Sequence, residues 1–151
     1  MNLSTVLMPE DVLLNLSVAT KPRLLERLSA HAADRLGLDA AAIEAALLAR
    51  EGLGSTGIGG RVALPHAVIE GIRAPFAALA TLKKPLAFDA VDTQPIEVVF
   101  LLLTPPGNAG DHLKILSTVA RHLRDMSVLA TIRTAASPAE ARATLLVNRA
   151  S

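Results

Sequence analysis

The sequence predicts an α/β fold, a single domain over residues 1–151 in which helices cover both faces of a mixed sheet of about five strands. Two observations lead to this prediction. Apolar runs typical of strands alternate with segments of helical periodicity, and no long linker, repeat or low-complexity tract interrupts them. Residues 96–103 are almost entirely apolar and rich in β-formers, as expected for a central strand that is covered on both faces.

The N-terminal part of the chain is predicted to form one strand and two helices. After a short lead-in, the apolar run at residues 11–18 is interpreted as a strand. A helix then covers residues 20–35, with Thr20 as its N-cap. A second helix covers residues 39–51, and its apolar residues at helical spacing, which predict its buried face, are Ile43, Leu47 and Leu48.

The C-terminal part is predicted to hold two strands and three helices. Residues 76–82 form a strand that Lys-Lys-Pro at 83–85 is expected to break, and the central strand follows. Residues 104–110 read as a loop. Three helices come next, and their expected first residues or N-caps are Asp111, Met126 and Ser137.

The composition excludes several classes of function. There is no cysteine, so neither a disulfide framework nor a thiolate metal site can form. Aromatic residues make up 2% of the chain and the net charge is +1, so we predict no nucleic-acid partner. The chain shows no secretory signal and no membrane-length apolar stretch, so we expect a cytoplasmic protein without membrane insertion. No histidine pair has metal-ligand spacing, and we predict no metal or other cofactor.

A glycine-rich loop at residues 54–60, Gly-Ser-Thr-Gly-Ile-Gly-Gly, is the most informative segment. Such a loop can present several backbone N–H groups to an anion. It lacks the Gly-Lys-Ser/Thr ending of a Walker A loop and the third small residue of a dinucleotide fingerprint, so a nucleotide site is disfavoured. Arg50 precedes the loop, and the run Val-Ala-Leu-Pro that follows it leads to His66.

One stretch of the sequence resembles the active-site signature of the phosphotransferase-system EIIA family: Gly-Ser-Thr-Gly-Ile-Gly, two residues, and then Val-Ala-Leu-Pro-His. The likeness is to the fructose/mannitol/nitrogen-regulatory branch, and within it to the nitrogen-regulatory type. It extends in the family's order over nearly the whole chain, through residues 85–92, 95–103 and 112–117. The resemblance implies that the protein is a phosphohistidine carrier.

The resemblance assigns a role to each polar residue of this region. His66 carries the phosphoryl group, on Nε2 by family likeness. His112 binds and orients the phosphate without attacking it, and Arg50 holds phosphate oxygens bidentately. The hydroxyls of Ser55 and Thr56 add hydrogen-bond donors. These roles meet the chemical need, which is a neutral exposed nitrogen, an acceptor for the other ring nitrogen, and donors around the transferred group.

Each of these residues also has an ordinary explanation. A lone histidine such as His66 is usually structural or merely exposed, and His112 could be a solvated residue in a first helical turn. Arg50 suits the negative end of a helix dipole. Ser55 and Thr56 could simply satisfy the backbone of their own loop.

The remaining histidines and one pair of aspartates are interpreted as structural. His31 shares a helix face with leucines and is expected to be half-buried. His122 lies about 15 Å from His112 along one helix, too far to share a metal with it. Asp89 and Asp92 resemble an acid/base pair but lie in a loop-like stretch, where turn roles are expected.

Three functions remain open at this point. In the first, His66 accepts phosphate from an HPr-like phosphohistidine protein, and the phosphorylation state regulates partners such as potassium-transport proteins or sensor kinases. In the second, a stand-alone fructose/mannitol EIIA passes the phosphate to a cysteine of an EIIB protein. In the third, the chain is a binding module that is not phosphorylated. The sequence is also compatible with a weak homodimer.

Overall fold

The structure is a computed structural model, and it describes residues 2–107 and 109–147. The sequence prediction that helices and strands alternate is wrong for most of this part of the chain: five consecutive strands are followed by three consecutive helices. The elements in chain order are α1 (Leu3–Val6), β1 (Leu7–Leu16), α2 (Lys21–Leu36), α3 (Ala40–Glu51), β2 (Gly57–Gly59), β3 (Val62–Ala63), β4 (His66–Val68), β5 (Phe76–Leu86), β6 (Ile96–Thr104), α4 (Ala109–Leu123), α5 (Met126–Arg133) and α6 (Pro138–Leu146).

The described strands form one mixed sheet with β6 at its centre. β5 runs antiparallel to β6 on one side. On the other side, β3 and β4 pair in turn with β6, both parallel to it. β1 pairs with β5 in parallel at one edge, and β2 pairs antiparallel with β3 at the other. The α/β fold is confirmed, and the sheet has one strand more than expected because the segment around the glycine loop forms three very short strands.

The core has two layers, one on each face of the sheet. Successive side chains of β6 point to opposite faces, so Val99 and Leu101 pack with α2 and α3, while Val98 and Phe100 pack with α4, α5 and α6. All four are fully shielded from solvent. The interpretation of residues 96–103 as a central strand covered on both faces is therefore confirmed.

The predicted helix ends are largely confirmed by their caps. The Thr20 hydroxyl accepts a hydrogen bond from Arg23 N at 3.3 Å, and Asp39 and Ser137 cap α3 and α6 in the same way. α2 ends at Gly37, whose φ of 68° lies in the left-handed region that glycine adopts without strain.

Two strand boundaries predicted from the sequence are wrong. β1 begins at Leu7 and not at residue 11, because the lead-in contains the short helix α1 and then joins the sheet beside β5. β5 does not break at residues 83–85 but continues to Leu86. The pairing of β5 with β1 ends at Leu82, and the register with β6 shifts between Thr81 and Leu86. Pro85 therefore falls in an irregular extension of the strand, which a proline can occupy.

Two predictions for helices also need correction. α4 begins at Ala109, so Asp111 is not its N-cap and His112 is its fourth residue; Asn108, part of the predicted loop, lies outside the described residues. The apolar spacing predicts Leu48 on the buried face of α3, but Leu48 is 45% exposed, whereas Leu47 is fully buried. The face of α3 that meets the sheet is narrower than the apolar pattern suggests.

In the described part of the chain, no helix is long and apolar enough to cross a membrane.

Candidate active site

His66 is held beside the C-terminal end of the central strand. It is the first residue of β4, and it pairs with Leu102 of β6. The buried Pro65 precedes it, and the Pro65 carbonyl accepts a hydrogen bond from Leu102 N at 3.0 Å. The backbone of His66 is thus fixed by the most buried strand of the protein, while its side chain lies half-buried at the surface.

The ring nitrogens of His66 have different surroundings. Nδ1 lies 2.7 Å from the carbonyl oxygen of Leu64. Because a carbonyl can only accept, Nδ1 carries the hydrogen and donates it. In the neutral ring Nε2 is then left with the lone pair, which is the state that a nucleophilic nitrogen requires.

Arg50 reaches Nε2 of His66 from the last turn of α3. Its Nε donates to His66 Nε2 at 3.2 Å, and its Nη1 donates to the carbonyl of Gly54 at 2.8 Å. The second bond fixes the guanidinium against the start of the glycine loop. A cationic fork therefore stands beside the nitrogen that carries the lone pair.

His112 completes a cluster of three functional groups. The ring centroids of His66 and His112 are 5.0 Å apart, and the rings meet edge to face at 77°. Nδ1 of His112 lies 2.6 Å from the hydroxyl oxygen of Thr104. His112 lies in the first turn of α4, where backbone N–H groups also point outward.

The surroundings of both histidines favour their neutral form. Burial lowers the pKa of His66 below its ordinary 6.5, and the Arg50 charge lowers it further, against the opposing effects of the Leu64 carbonyl and Glu51. Burial also lowers the pKa of His112, and the neighbouring His66 adds to this shift. Neutral rings can accept a phosphoryl group or donate a hydrogen bond to one without charge repulsion between them.

The hydroxyls of Ser55 and Thr56 are engaged within their own loop. Ser55 Oγ donates to the carbonyl of Phe88 at 2.7 Å and accepts from Gly57 N at 3.0 Å. Thr56 is buried, and its hydroxyl donates to the Glu51 carboxylate. The structure thus brings Arg50 and His112 to His66 and does not bring these two hydroxyls there.

A buried ion pair behind the loop was not found by the sequence reasoning. Glu51, with a side chain 5% exposed, accepts from Thr56 N at 3.1 Å and from Lys21 Nζ at 2.9 Å. It ties α2, α3 and the glycine loop together directly next to Arg50. One signal could have revealed it, since a carboxylate in the last turn of a helix opposes the helix dipole and needs a cationic or hydrogen-bonding partner.

An apolar rim surrounds the three functional side chains. His66, Arg50 and His112 line a cavity of ≈ 720 Å³, which is within the size range of ligand sites. The most exposed apolar residues around it are Leu53 at 86%, Leu113 at 65% and Val68 at 56%. An exposed apolar patch of this kind is typical of a protein-docking surface.

The other singled-out polar residues lie elsewhere. His31 Nε2 pairs with the buried Asp11 at 2.7 Å, as suits a half-buried helix residue, and His122 Nδ1 donates to the carbonyl of Leu145. Asp92 accepts from Gly60 N and Gln94 N, and these bonds lower its pKa, so it is the turn residue that was predicted. Across residues 2–107 and 109–147, no cluster of three or more histidines or acids could hold a metal ion.

Comparison with known proteins shows which family the chain resembles over most of its length. The family model "Phosphoenolpyruvate-dependent sugar phosphotransferase system, EIIA 2" matches residues 5–147. A nitrogen regulatory protein of Bradyrhizobium diazoefficiens is 39% identical over 88% of this chain and 87% of its own length. A fructose-specific EIIA component of Haloferax volcanii is 36% identical over 81% and 80%. The crystal structure of nitrogen regulatory protein IIA-Ntr from Neisseria meningitidis superposes with a TM-score of 0.90 at 34% identity, covering 93% of this chain and 97% of that one.

Proposed function

Because this chain belongs to the EIIA 2 family of the phosphoenolpyruvate-dependent sugar phosphotransferase system, we propose that His66 accepts a phosphoryl group on Nε2 from an HPr-like phosphohistidine protein. Family membership supports the coarser statement that the protein is a phosphocarrier of that system. The single observation that carries the finer proposal is the pair of contacts on the His66 ring. Nδ1 donates to the Leu64 carbonyl, and the lone pair of Nε2 accepts from Arg50 Nε beside the cavity.

The transfer exchanges one phosphorus–nitrogen bond for another. Arg50 Nε gives up its hydrogen bond to His66 Nε2, the freed lone pair attacks phosphorus, and the bond from phosphorus to the donor histidine breaks with its electrons left on the donor nitrogen. No proton has to leave His66, because the one nitrogen-bound hydrogen of the ring is on Nδ1 and stays hydrogen-bonded to the Leu64 carbonyl. Phosphoryl transfer of this type depends on positioning and charge stabilisation, without a general base.

Arg50 and His112 stabilise the transferred group in this proposal. The Arg50 guanidinium stands 3.2 Å from the accepting nitrogen, so phosphate oxygens on that nitrogen come within its reach. His112, 5.0 Å away between ring centroids, supplies a neutral donor. The resemblance also implies that Ser55 and Thr56 bind phosphate. Their hydroxyl contacts favour a different role, in which they build the loop that holds Gly54 against Arg50.

The phosphorylation state is proposed to act on partner proteins, in the manner of a nitrogen-regulatory EIIA. The relatives named nitrogen regulatory protein support this branch. Potassium-transport proteins and sensor kinases are the partners that the resemblance suggests, and the cytoplasm is the proposed compartment. The apolar rim of Leu53, Val68 and Leu113 is the surface on which donor and targets would dock in turn.

A second candidate is a sugar-specific EIIA that passes its phosphate to an EIIB cysteine. The observation in its favour is the 36% identity to the fructose-specific component of Haloferax volcanii. The site chemistry is the same in both candidates, so the acceptor of the phosphate separates them. Loss of phosphate from the phosphorylated chain to a purified fructose or mannitol EIIB protein would favour the second.

The proposal is tested by phosphorylating the purified chain with phosphoenolpyruvate, enzyme I and an HPr-like carrier of either the nitrogen or the sugar type, read by intact mass. We expect one added phosphate that is labile in acid and absent from His66→Ala. His122→Ala is the matched control, because His122 bonds Leu145 far from the cavity, and it should take label normally. Labelling of His66→Ala at the wild-type rate would refute the site, and no labelling of the wild type by either carrier would favour the binding module.

A further inference from the structure

We propose that Thr104 is a positioning residue that fixes the tautomer and orientation of His112, so that His112 Nε2 carries the hydrogen offered to the phosphoryl group on His66. The inference rests on the proposed function and adds a residue that neither the sequence pattern nor the family likeness assigns. Thr104 itself does not touch the reacting atoms in this scheme. It acts through the ring of His112.

Thr104 joins the two histidines physically. It is the last residue of the central strand β6, and it pairs with Val68 at the end of the strand that begins at His66. Its carbonyl accepts a hydrogen bond from Ile69 N at 2.8 Å. Its hydroxyl oxygen lies 2.6 Å from His112 Nδ1. One rigid residue thus holds the strand of the acceptor histidine and the ring of its neighbour.

Burial decides the direction of the hydrogen bond between Thr104 and His112. Thr104 is 1% exposed, and within residues 2–107 and 109–147 its hydroxyl has one hydrogen-bond partner, His112 Nδ1. If Nδ1 carried the hydrogen, the threonine oxygen would accept, and its own buried O–H would be left without a partner. Leaving a buried donor unsatisfied is costly, so the hydroxyl donates and Nδ1 accepts.

The chemistry at His66 depends on this choice. With Nδ1 as the acceptor, the single hydrogen of the neutral His112 ring is on Nε2, where it can be donated to a phosphoryl oxygen. The opposite tautomer would present a lone pair on Nε2 to oxygens that are already negatively charged. Burial lowers the pKa of His112, which keeps the ring neutral and makes the placement of its one hydrogen decisive.

The tautomer can be read directly in the unphosphorylated, ¹⁵N-labelled full chain by long-range ¹H–¹⁵N correlation of the histidine rings. In the wild type we expect a protonated Nε2 and a hydrogen-bonded, unprotonated Nδ1 for His112. In Thr104→Val, the Nδ1 resonance should move toward that of an acceptor nitrogen without a donor. A wild-type His112 with its hydrogen on Nδ1 would overturn the inference.

The same variants are then compared in phosphoryl transfer. Thr104→Val should slow transfer to His66 by about tenfold, the lower end of what losing a histidine's orienting partner costs at metal sites. Thr104→Ser, which keeps the hydroxyl, should restore both the rate and the Nδ1 resonance. The matched control is Thr81→Val, since Thr81 is also a buried strand threonine, and its hydroxyl bonds Asn15 N away from the site. This control should lose stability and keep the wild-type rate.

The outcomes separate this inference from the proposed function. The tautomer measurement needs no phosphate donor, so it judges the Thr104 assignment even if Thr104→Val folds poorly. A wild type that takes no phosphate would refute the proposed function and the role of Thr104 in transfer together. A phosphorylated wild type with Thr104→Val equally fast, or with Thr104→Ser as slow as Thr104→Val, would refute the positioning role alone.

Discussion

His66 differs from an ordinary surface histidine in what its two nitrogens contact. The Leu64 carbonyl takes the hydrogen of Nδ1, and Arg50 stands beside Nε2. Partial burial and the Arg50 charge both disfavour the protonated ring. At this scale, the proposed reactivity rests on a few contacts that keep one nitrogen unprotonated and oriented.

We expect the pKa of His66 to lie below the ordinary 6.5, because burial and Arg50 disfavour its charged form. An NMR titration, assigned by comparison with His66→Ala, measures it. The unfolded chain then binds the proton at higher pH than the folded chain does. The contribution of His66 to the free energy of unfolding is therefore complete above about pH 6.5. It is lost as the pH falls through the lowered pKa of His66 in the folded chain. A midpoint above 6.5 would contradict this assignment.

Replacing Arg50 should affect both rate and titration. Arg50→Ala is expected to slow transfer to His66 by about 100-fold, the effect of removing one charged donor from a transition state. It should also raise the pKa of His66, since the Arg50 charge lowers it. Arg50→Lys keeps the positive charge but lacks the planar guanidinium. It should therefore restore the lowered pKa of His66 more fully than it restores the rate of phosphoryl transfer. The control is Arg27→Ala, at an exposed position of α2. If Arg27→Ala slowed transfer as much as Arg50→Ala does, the role assigned to Arg50 would be contradicted.

At the scale of elements, the site is built where α3, the glycine loop and β4 meet. Gly57 packs directly on Ala90, because an added Cβ would lie 2.8 Å from the Ala90 Cβ. The Glu51 carboxylate accepts a hydrogen bond from Thr56 N in the loop and forms an ion pair with Lys21 of α2. The end of α3 is therefore fixed from two sides, which fixes Arg50 as well.

Two neighbouring leucines of α3 test which face of the helix is buried. Leu47 is fully buried and Leu48 is 45% exposed. Leu47→Ala should lower the free energy of unfolding by about 2–5 kcal/mol, as expected for a core leucine, and Leu48→Ala by less than about 1 kcal/mol. Denaturant unfolding of the two variants measures the difference. Equal losses would mean that the helix packs with a different rotation.

The sequence predicts elements whose signals are local and misses those set by distant contacts. Caps such as Thr20 and Ser137 are readable because a few neighbouring residues form them. The continuation of β5 past Pro85 depends on where a partner strand ends, which no local pattern states. For the site, the resemblance indicated His66, Arg50 and His112, whereas the Glu51 and Thr104 contacts join residues from different elements and became visible only in three dimensions.

At the scale of the whole molecule, the site is a polar centre within the apolar rim that is proposed as the docking surface. Leu53→Glu places a charge on that surface, at a residue 86% exposed, so folding should be unaffected. We expect the KM for the HPr-like donor to rise by about tenfold, the scale of an interface contact worth more than 1 kcal/mol, with kcat nearly unchanged. Val91→Glu is the matched control, at a residue 76% exposed that does not line the cavity. Equal effects of the two variants would show a nonspecific charge effect.

The position of phosphorus on the phosphorylated chain tests the central claim most directly. Scalar coupling between ³¹P and the ring atoms of an isotope-labelled sample identifies the nitrogen that carries it. We predict phosphorus on Nε2 of His66, with the hydrogen of Nδ1 still present and bonded to the Leu64 carbonyl. Phosphorus on Nδ1 of His66, or on His112, would contradict the account, because each would require the tautomers and roles assigned to the two rings to be exchanged.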